Sequence, residues 1–483
     1  MILVIAEKPS VAQSIAKVLG ATSRKDGYME GGNYIVSWCF GHLVELADAS
    51  SYDERYAKWR YDDLPIVPES WMFEVTKDKA QQFKVLSALM KDKRVTELVC
   101  ATDAGREGEL IFRLVYDKAG CTKPFKRLWI SSLEDSAIRE GFNHLRDGKE
   151  YDRLYEAALS RSKADWIVGI NGTRLFTTLY HKKLVVGRVQ TPTLAMLVER
   201  DGKISTFQKE KYFNIHVCKG DLIADLEKVK TEEEAKKIAA ACEKKQAVVS
   251  SLKRETKTVN PPKLYDLTTL QREANRYFGF TAQQTLELVQ SLYEKKLLTY
   301  PRTDSQFITD DMEGTARQVI SIVCRKLSVF DGLNHDPDIR RVTNNAKVTD
   351  HHAIIPTVQL DKQDIGDLPQ SEQKIISLVG MRLLAATGEK HIFDETQITV
   401  ICEGYEFKTK GKTVVQDGWK GIEQRFKASL KSKDKEEPEK TLPAVSENAV
   451  LESVSASVTE HFTTPPKPFT EAICCERGIR NRP

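Results

Sequence analysis

The sequence predicts a multidomain α/β-plus-α protein: a doubly wound amino-terminal domain, helical modules and a β-rich segment. Three observations carry that expectation. Residues 1–6 (MILVIA) and 98–102 (LVCAT) are apolar runs, each followed by a short acidic loop and a helix with an apolar stripe, as strands buried on both faces of a parallel sheet require. From about residue 151 the apolar spacing becomes helical. Between 211 and 260 short strands alternate around one charged helix.

In the first unit Glu7-Lys8-Pro9-Ser10 turns the chain, and a helix striped by Val11, Ile15, Val18 and Leu19 stops at Gly20. In the second, the loop Asp103 to Gly108 leads into a helix striped by Leu110, Ile111, Leu114 and Val115. Both units place acids just beyond the carboxyl end of a strand, where doubly wound sheets bind ligands. Singly, each acid also reads as a solvated loop residue. Gathered together, they suit a hard divalent cation such as magnesium. Between the units, "KWRYDDLPIVPESW" sets Trp59 between Lys58 and Arg60. Such a tryptophan can stack on a base while its neighbours meet phosphates, or simply pack in its loop.

The helical stretch "ALSRSKADWIVGINGTRLFTTLY" carries Arg161, Asp165, Trp166, Asn171 and Arg174. Core packing accounts for Trp166, Ile167 and Ile170. It does not account for Gly187-Arg188-Val189-Gln190-Thr191-Pro192, a turn of hydrogen-bond donors able to follow a phosphate backbone. Strands follow at Tyr212 to Val217, Leu222 to Leu226 and Ala247 to Leu252. The helix among them, 231–245, shows no sharp stripe and is expected to be solvated. A further helix, with Thr281 as its cap, runs into Leu297-Leu298-Thr299-Tyr300-Pro301-Arg302-Thr303-Asp304-Ser305. Pro301 biases Tyr300 toward an extended backbone, which ends the helix there. Tyr300 and Arg302 then point to the same side and can face one ligand. A phenol with a pKa of about 10 needs about 4 kcal/mol to become a nucleophile at neutral pH, part of which a guanidinium can offset. Beyond 360 come a helix at 371–387, an alternating strand "YEFKTKGKTVV" and a charge-rich loop over 427–443.

The 483 residues suffice for about three domains. Hydrophobic content of 41% with 29% charged residues is normal for soluble globular protein. A net charge of +4 and a pI of 8.4 are mildly basic, compatible with nucleic acid. The nine cysteines contain no CxxC pair, and adjacent Cys474 and Cys475 lack zinc-site spacing, so free thiols in a reducing cytosol are expected. The opening apolar run is too short for a signal peptide, and no stretch reaches transmembrane length.

"LLTYPRTDS" closely resembles the active-site segment of type IA DNA topoisomerases, whose tyrosine attacks a DNA phosphodiester. "EKPS" with "ATDAGREGE" resembles the Toprim domain, and "VVGRVQTPTLAMLVERD" resembles the start of that family's DNA-binding helix. The resemblance spans residues 1 to 470 and points to a bacterial topoisomerase III-like enzyme. It implies the type IA fold, a toroid of a Toprim domain (1–150), a helical DNA-binding module (151–210, completed from about 460), a β-rich arch (211–258 and 360–460) and a helical module bearing the tyrosine (259–359).

It further implies that Tyr300 forms a 5′-phosphotyrosine link, that another strand passes, and that religation needs no ATP. Arg302, Lys8, Glu7 and His351 would serve the chemistry, although His351 also reads as a satisfied core histidine and Lys8 as a solvated lysine. Trp59, Trp166, Arg174, Arg302 and the turn Gly187, Arg188, Val189, Gln190, Thr191 and Pro192 fall on DNA-contact positions. Glu7, Asp103 and Glu107 match the metal-binding acids. Gly105 stands where a middle aspartate is usual, which leaves one or two magnesium ions open.

The implied partner is single-stranded or negatively supercoiled DNA, with a helicase as a further candidate, in a cytoplasmic, nucleoid-associated monomer without membrane contact. Two other readings stand beside it: a catalytically impaired single-strand-binding remnant, and a Toprim nuclease or primase. The ending Ile473 to Pro483 departs from the family pattern, so a truncated, aggregation-prone module is expected.

Overall fold

The computed structural model describes residues 1–131, 133–348, 351–430 and 441–471. The chain end after 471, and residues 431–440 of the expected charge-rich loop, lie outside them. The amino-terminal domain is built from β1 (Ile2–Ala6), β2 (Ser23–Lys25), β3 (Tyr28–Gly31), β4 (Tyr34–Trp38), the ribbon β5 (Val44–Leu46) and β6 (Phe73–Val75), then β7 (Glu97–Ala101), β8 (Phe125–Arg127) and β9 (Arg146–Asp147). The main sheet runs β2-β3-β4-β1-β7-β8-β9, parallel in its centre and antiparallel at both edges. Helices α1 (Pro9–Leu19), α2 (Ala49–Tyr52), α3 (Ala80–Lys91), α4 (Arg106–Lys118) and α5 (Asp135–Asn143) complete it.

The all-apolar β1 has a core on each face. Leu3 and Ile5 join Phe112 and Val115, whereas Val4 and Ala6 join Val11 and Ile15. Helix α1 opens on Pro9 and closes on Gly20 at φ 75°, as its sequence anticipates. Strands β1 and β7 are neighbours with Ala6 opposite Ala101, so the acids that follow them leave the sheet side by side.

Helix α6 (Asp152–Tyr180) is about 43 Å long at 1.5 Å per residue and is followed by α7 (Gln190–Ser205). Helix α7 has no buried residue, and Val189, Leu194 and Val198 stand in solvent. The arch sheet comprises β10 (Lys211–Lys219), β11 (Leu222–Val229), β12 (Ala247–Val259), β13 (His391–Cys402), β14 (Tyr405–Gln416), β15 (Val450–Leu451) and β16 (Ser455–Phe462), in the order β15-β12-β13-β14-β11-β10-β16. Helix α8 (Glu232–Cys242) covers one face of it. The sequence reads this helix as solvated, but Ala235, Ile238, Ala239 and Cys242 are buried against the sheet. The stripe is made mostly of small residues and therefore has little apolar contrast.

The tyrosine module contains α9 (Leu267–Phe278), α10 (Ala282–Glu294), α11 (Glu313–Lys326), α12 (Gln370–Thr387) and α13 (Trp419–Ser429). The sequence places 360–460 in the arch. The structure instead brings Leu360, Leu368, most of α12, and Ile422 and Phe426 of α13 into the core that holds Val289, Leu292 and Leu298. Helix α12 is apolar nearly all round because it is the centre of that module.

Candidate active site

Tyr300 is positioned by a chain of local signals. Thr281 and Gln284 form a capping box at the start of α10. The helix ends at Glu294, and Lys296 turns the backbone at φ 64°. Thr299 then donates its N–H to Ile355 O, and Tyr300 donates its own across the module boundary to Ser131 O at 3.2 Å. The ring is buried, packed against His351 with centroids 4.2 Å apart and planes tilted by 34°, and edge-on to Tyr293. Its hydroxyl donates to Asp103 Oδ2 at 2.9 Å, 197 residues away in sequence.

Asp103 N–H donates to Glu7 Oε2 at 3.3 Å, so the two acids stand together. Burial and the Asp103 charge push the Glu7 carboxyl up to about 7, and burial likewise raises Asp103. Burial, then Asp103 and Glu7, push the Tyr300 phenol upward, while Arg302 opposes them. Tyr300 and Arg302 line one cavity of about 380 Å³ with Glu7, Asp103 and His351. Arg302 also borders a second cavity, of about 700 Å³, with Glu7, Lys8 and His42. Tyr300 and Arg302 thus border one cavity, in keeping with side chains two residues apart in an extended segment.

His351 is buried, and burial lowers it to about 4, so the ring is neutral at neutral pH. Its Nε2–H donates to Ala104 O, which leaves Nδ1 to accept from Ser131 Oγ at 2.9 Å. It is both a satisfied core histidine and a direct neighbour of the reactive ring. Lys8 extends to Glu294 Oε1 at 3.2 Å, at the end of the helix that leads to the tyrosine, and Lys296 to Asp135 at 2.7 Å. These pairs tie the two modules together beside the phenol.

Glu107 borders the same cavity as Glu7 and Asp103 but pairs with a histidine. Its carboxylate sits 3.5 Å from His42, and the hydrogen bond to that imidazole lowers its pKa. Among the described residues no cluster of three or more metal-ligating groups occurs. The donor set still fits a hard divalent cation: two carboxylates, mutually repelling and partly desolvated, gain most from one such charge. Gly105 has extended backbone, and a Cβ there would meet open space.

The expected DNA-contact residues divide. Trp59 is exposed. Arg174 is buried beneath it, its guanidinium 5.2 Å from the Trp59 ring centroid and donating to Tyr56 O at 2.7 Å. Trp166 is half-buried, donates to Ala47 O at 2.9 Å and meets Tyr52 and Trp71 edge-on. In the 187–192 turn, Gly187 N–H donates to Thr191 Oγ1 and Thr191 N–H to Gly187 O, while Arg188 grips Asp165 at 2.6 Å. Val189 is the N-cap of α7, Gln190 opens the helix, and Pro192 lies in its first turn. Several donors of this turn are therefore engaged within the chain.

Sequence reasoning gave no role to four residues here: Glu294, His42, Arg161, which lines the tyrosine cavity, and Arg127. Arg127 is fully buried, pairs with Glu109 at 2.6 Å and donates to the carbonyls of Cys100, Thr102 and Asp103. An arginine within the otherwise strand-like "FKRLWI" was the one available signal.

A family profile described as the Toprim domain matches residues 2–133, and one described as DNA topoisomerase matches 149–474. DNA topoisomerase 3 of Bacillus licheniformis is 40% identical over 485 residues, covering 97% of this chain, and that of Bacillus subtilis is 40% identical over 490. The chain spans 66% of the length of either relative. The fold matches full-length topoisomerase I from Thermotoga maritima with a TM-score of 0.74 at 24% identity, over 99% of this chain and 75% of that one. No described helix is long and apolar enough to cross a membrane.

Proposed function

The chain belongs to the type IA DNA topoisomerase family, and on that premise we propose that it breaks one DNA strand at Tyr300, lets another pass, and reseals the break without ATP. The observation that carries this reading is the Tyr300 hydroxyl bonded to Asp103 at 2.9 Å, between modules that meet only through the fold. The phenolic oxygen would attack phosphorus, breaking the P–O3′ bond to leave a 5′-phosphotyrosine and a free 3′-hydroxyl. The phosphodiester energy is kept in the new bond, so religation needs no nucleotide.

The phenol's proton would pass to the Asp103–Glu7 pair, where a group titrating at about 7 suits proton exchange at neutral pH, and a proton from that pair would complete the departing 3′-hydroxyl. Lys8 and Arg302 would stabilise charge on the phosphate, and Lys8 would leave Glu294 to do so. His351, neutral and packed against the ring, restricts its rotation and ties Ala104 to Ser131. Glu7 and Asp103 would hold a magnesium ion, which supplies positive charge to phosphate oxygens and aligned DNA ends. Denaturing the protein in the presence of single-stranded oligonucleotide and mapping the modified residue tests the reading. The expected product is DNA carried on Tyr300 through its 5′ phosphate.

The metal assignment has a pH signature. Glu7 is raised from 4.5 to about 7 by folding, so the native protein binds the extra proton between those values. Its contribution to stability is therefore present at low pH and is lost as pH rises through about 7. A cation that binds the ionised pair should raise the melting temperature at pH 8 and hardly at all at pH 5.5. Glu7→Gln should remove most of that difference. An equal magnesium-induced shift at both pH values would place the ion elsewhere.

For DNA contacts, Trp59→Ala should weaken single-strand binding by about 1–3 kcal/mol with an unchanged salt slope. Arg174→Ala should also weaken it, by releasing the tryptophan, and again without altering the slope. A slope smaller by about one ion in the Arg174 variant would instead make that guanidinium a phosphate contact.

A further inference from the structure

We propose that Cys242 and Cys402 are an oxidation site, a thiol pair in the arch that hydrogen peroxide closes to a disulfide. The site is separate from the tyrosine cavity and independent of the strand-breaking reading. Cys242 is the last residue of α8 and Cys402 the last of β13, so the two are 160 positions apart in the chain. The Cys242 thiol donates to Cys402 O at 3.6 Å, and Cys402 Sγ lies 3.9 Å from Cys242 O. Each sulfur therefore rests against the backbone of the other residue. That is the approach a disulfide requires, with Cα atoms about 4.4–6.8 Å apart.

Both thiols are free and buried in the arch core. Cys39 and Cys100 are also free and buried, yet they cannot join. Cys39 follows β4 and Cys100 lies in β7, with β1 between those strands, and two strand spacings amount to about 9.6 Å.

Burial slows thiol chemistry, but the chain around this pair opens to solvent at once. Glu243, Lys244, Lys245 and Gln246 after Cys242 are exposed, as are Glu403 and Gly404 after Cys402. Both sulfurs thus sit at element ends beside surface turns, where local opening costs little. Burial raises both thiols, Cys242 to about 12, whereas a hydrogen bond from Cys242 opposes the rise at Cys402. Cys402 is the first to ionise. Its thiolate attacks one peroxide oxygen, the O–O bond breaks, and hydroxide leaves behind a sulfenic acid. The Cys242 sulfur then attacks the Cys402 sulfur, and the hydroxyl departs as water with the Cys242 proton. Two thiols and one peroxide give one disulfide and two waters, so two electrons pass from sulfur to oxygen. The loop so closed contains helices α9 to α12, and tying off so long a loop restricts the unfolded chain.

The test exposes the full chain, reduced and then freed of reductant, to hydrogen peroxide and maps its cysteines by mass spectrometry without reduction. The expected product joins the Cys242 and Cys402 peptides, two hydrogen atoms lighter than their sum. The melting midpoint should rise by on the order of 5 °C, and dithiothreitol should reverse both changes. In Cys242→Ala the sulfenic acid has no second thiol to meet, so dimedone should label Cys402. In Cys402→Ala the midpoint should not respond to peroxide. A map without the joined peptide, at a dose that oxidises the half-buried Cys121 and Cys324, would overturn the site. So would a peroxide-induced rise in Cys402→Ala, which would place the effect on other thiols. The parent's map decides the matter even where an alanine variant fails to fold.

Discussion

Replacing Tyr300 by Phe should abolish denaturant-resistant protein–DNA adducts while leaving single-strand affinity nearly unchanged. The substitution removes one oxygen atom. The ring keeps its packing on His351 at 4.2 Å and its edge contact with Tyr293, and Arg302 keeps its place on both cavities. The lost hydrogen bond to Asp103 leaves that carboxylate beside Glu7, where a proton or a cation can still compensate it. Removing a covalent nucleophile elsewhere costs on the order of 10⁶-fold in rate, far below the sensitivity of a gel assay. Adducts at the parent's level in the Phe variant would show that another side chain attacks. Cleavage without any adduct, in parent and variant alike, would favour a nuclease that uses the acids and ignores the tyrosine.

Much of this site was legible in the sequence because its signals are local. The cap at Thr281, the proline after Tyr300 and the apolar strands before Glu7 and Asp103 each act within a few residues of the side chain they position. What could not be read was whom those side chains meet. The partner of Lys8 is 286 residues away in Glu294, and the partner of Tyr300 is 197 away. Arg174 shows the same limit from the other side. A cation on a helix next to a basic loop reads as a phosphate contact, yet the fold buries it under Trp59, where it supports the surface that DNA would touch. Glu107 fits the spacing of a metal ligand and borders the cavity of Glu7 and Asp103, yet its carboxylate also meets His42, since spacing fixes a residue's place in the chain and not its partners. Within the 360–460 stretch expected in the arch, α12 packs in the tyrosine module for a related reason. A helix buried on all sides carries no stripe to say which core owns it.

Arg127→Ala should be the most destabilising single change in the amino-terminal domain, costing about 3–5 kcal/mol, the range for removing one partner of a buried ion pair. Arg127 and Glu109 are both fully inaccessible and lie 2.6 Å apart. The guanidinium also donates to Cys100 O at 3.0 Å, Thr102 O at 2.7 Å, Leu128 O at 2.8 Å and Asp103 O at 2.6 Å. Alanine would leave a buried carboxylate with only Arg113, at 3.3 Å, to balance its charge, and would take one donor from each of four carbonyls, of which Cys100 O keeps the Leu128 N–H. Lysine keeps the charge but cannot reproduce the planar fork, so Arg127→Lys should recover only part of the loss.

The double variant Arg127→Leu with Glu109→Leu separates two roles. With both charges gone the desolvation penalty disappears, and thermal stability should return most of the way to the parent's. Adduct formation should not return with it. The clamp on Thr102 and Asp103 carbonyls is what points the Asp103 carboxylate at the Tyr300 hydroxyl, and leucine offers no donor for it. Thermal melts and adduct yields measured together decide the matter. A double variant restored in both would make Arg127 a folding residue alone. A single Arg127→Ala variant within about 0.5 kcal/mol of the parent would show that water or a neighbouring donor replaces it at the carboxyl end of β7.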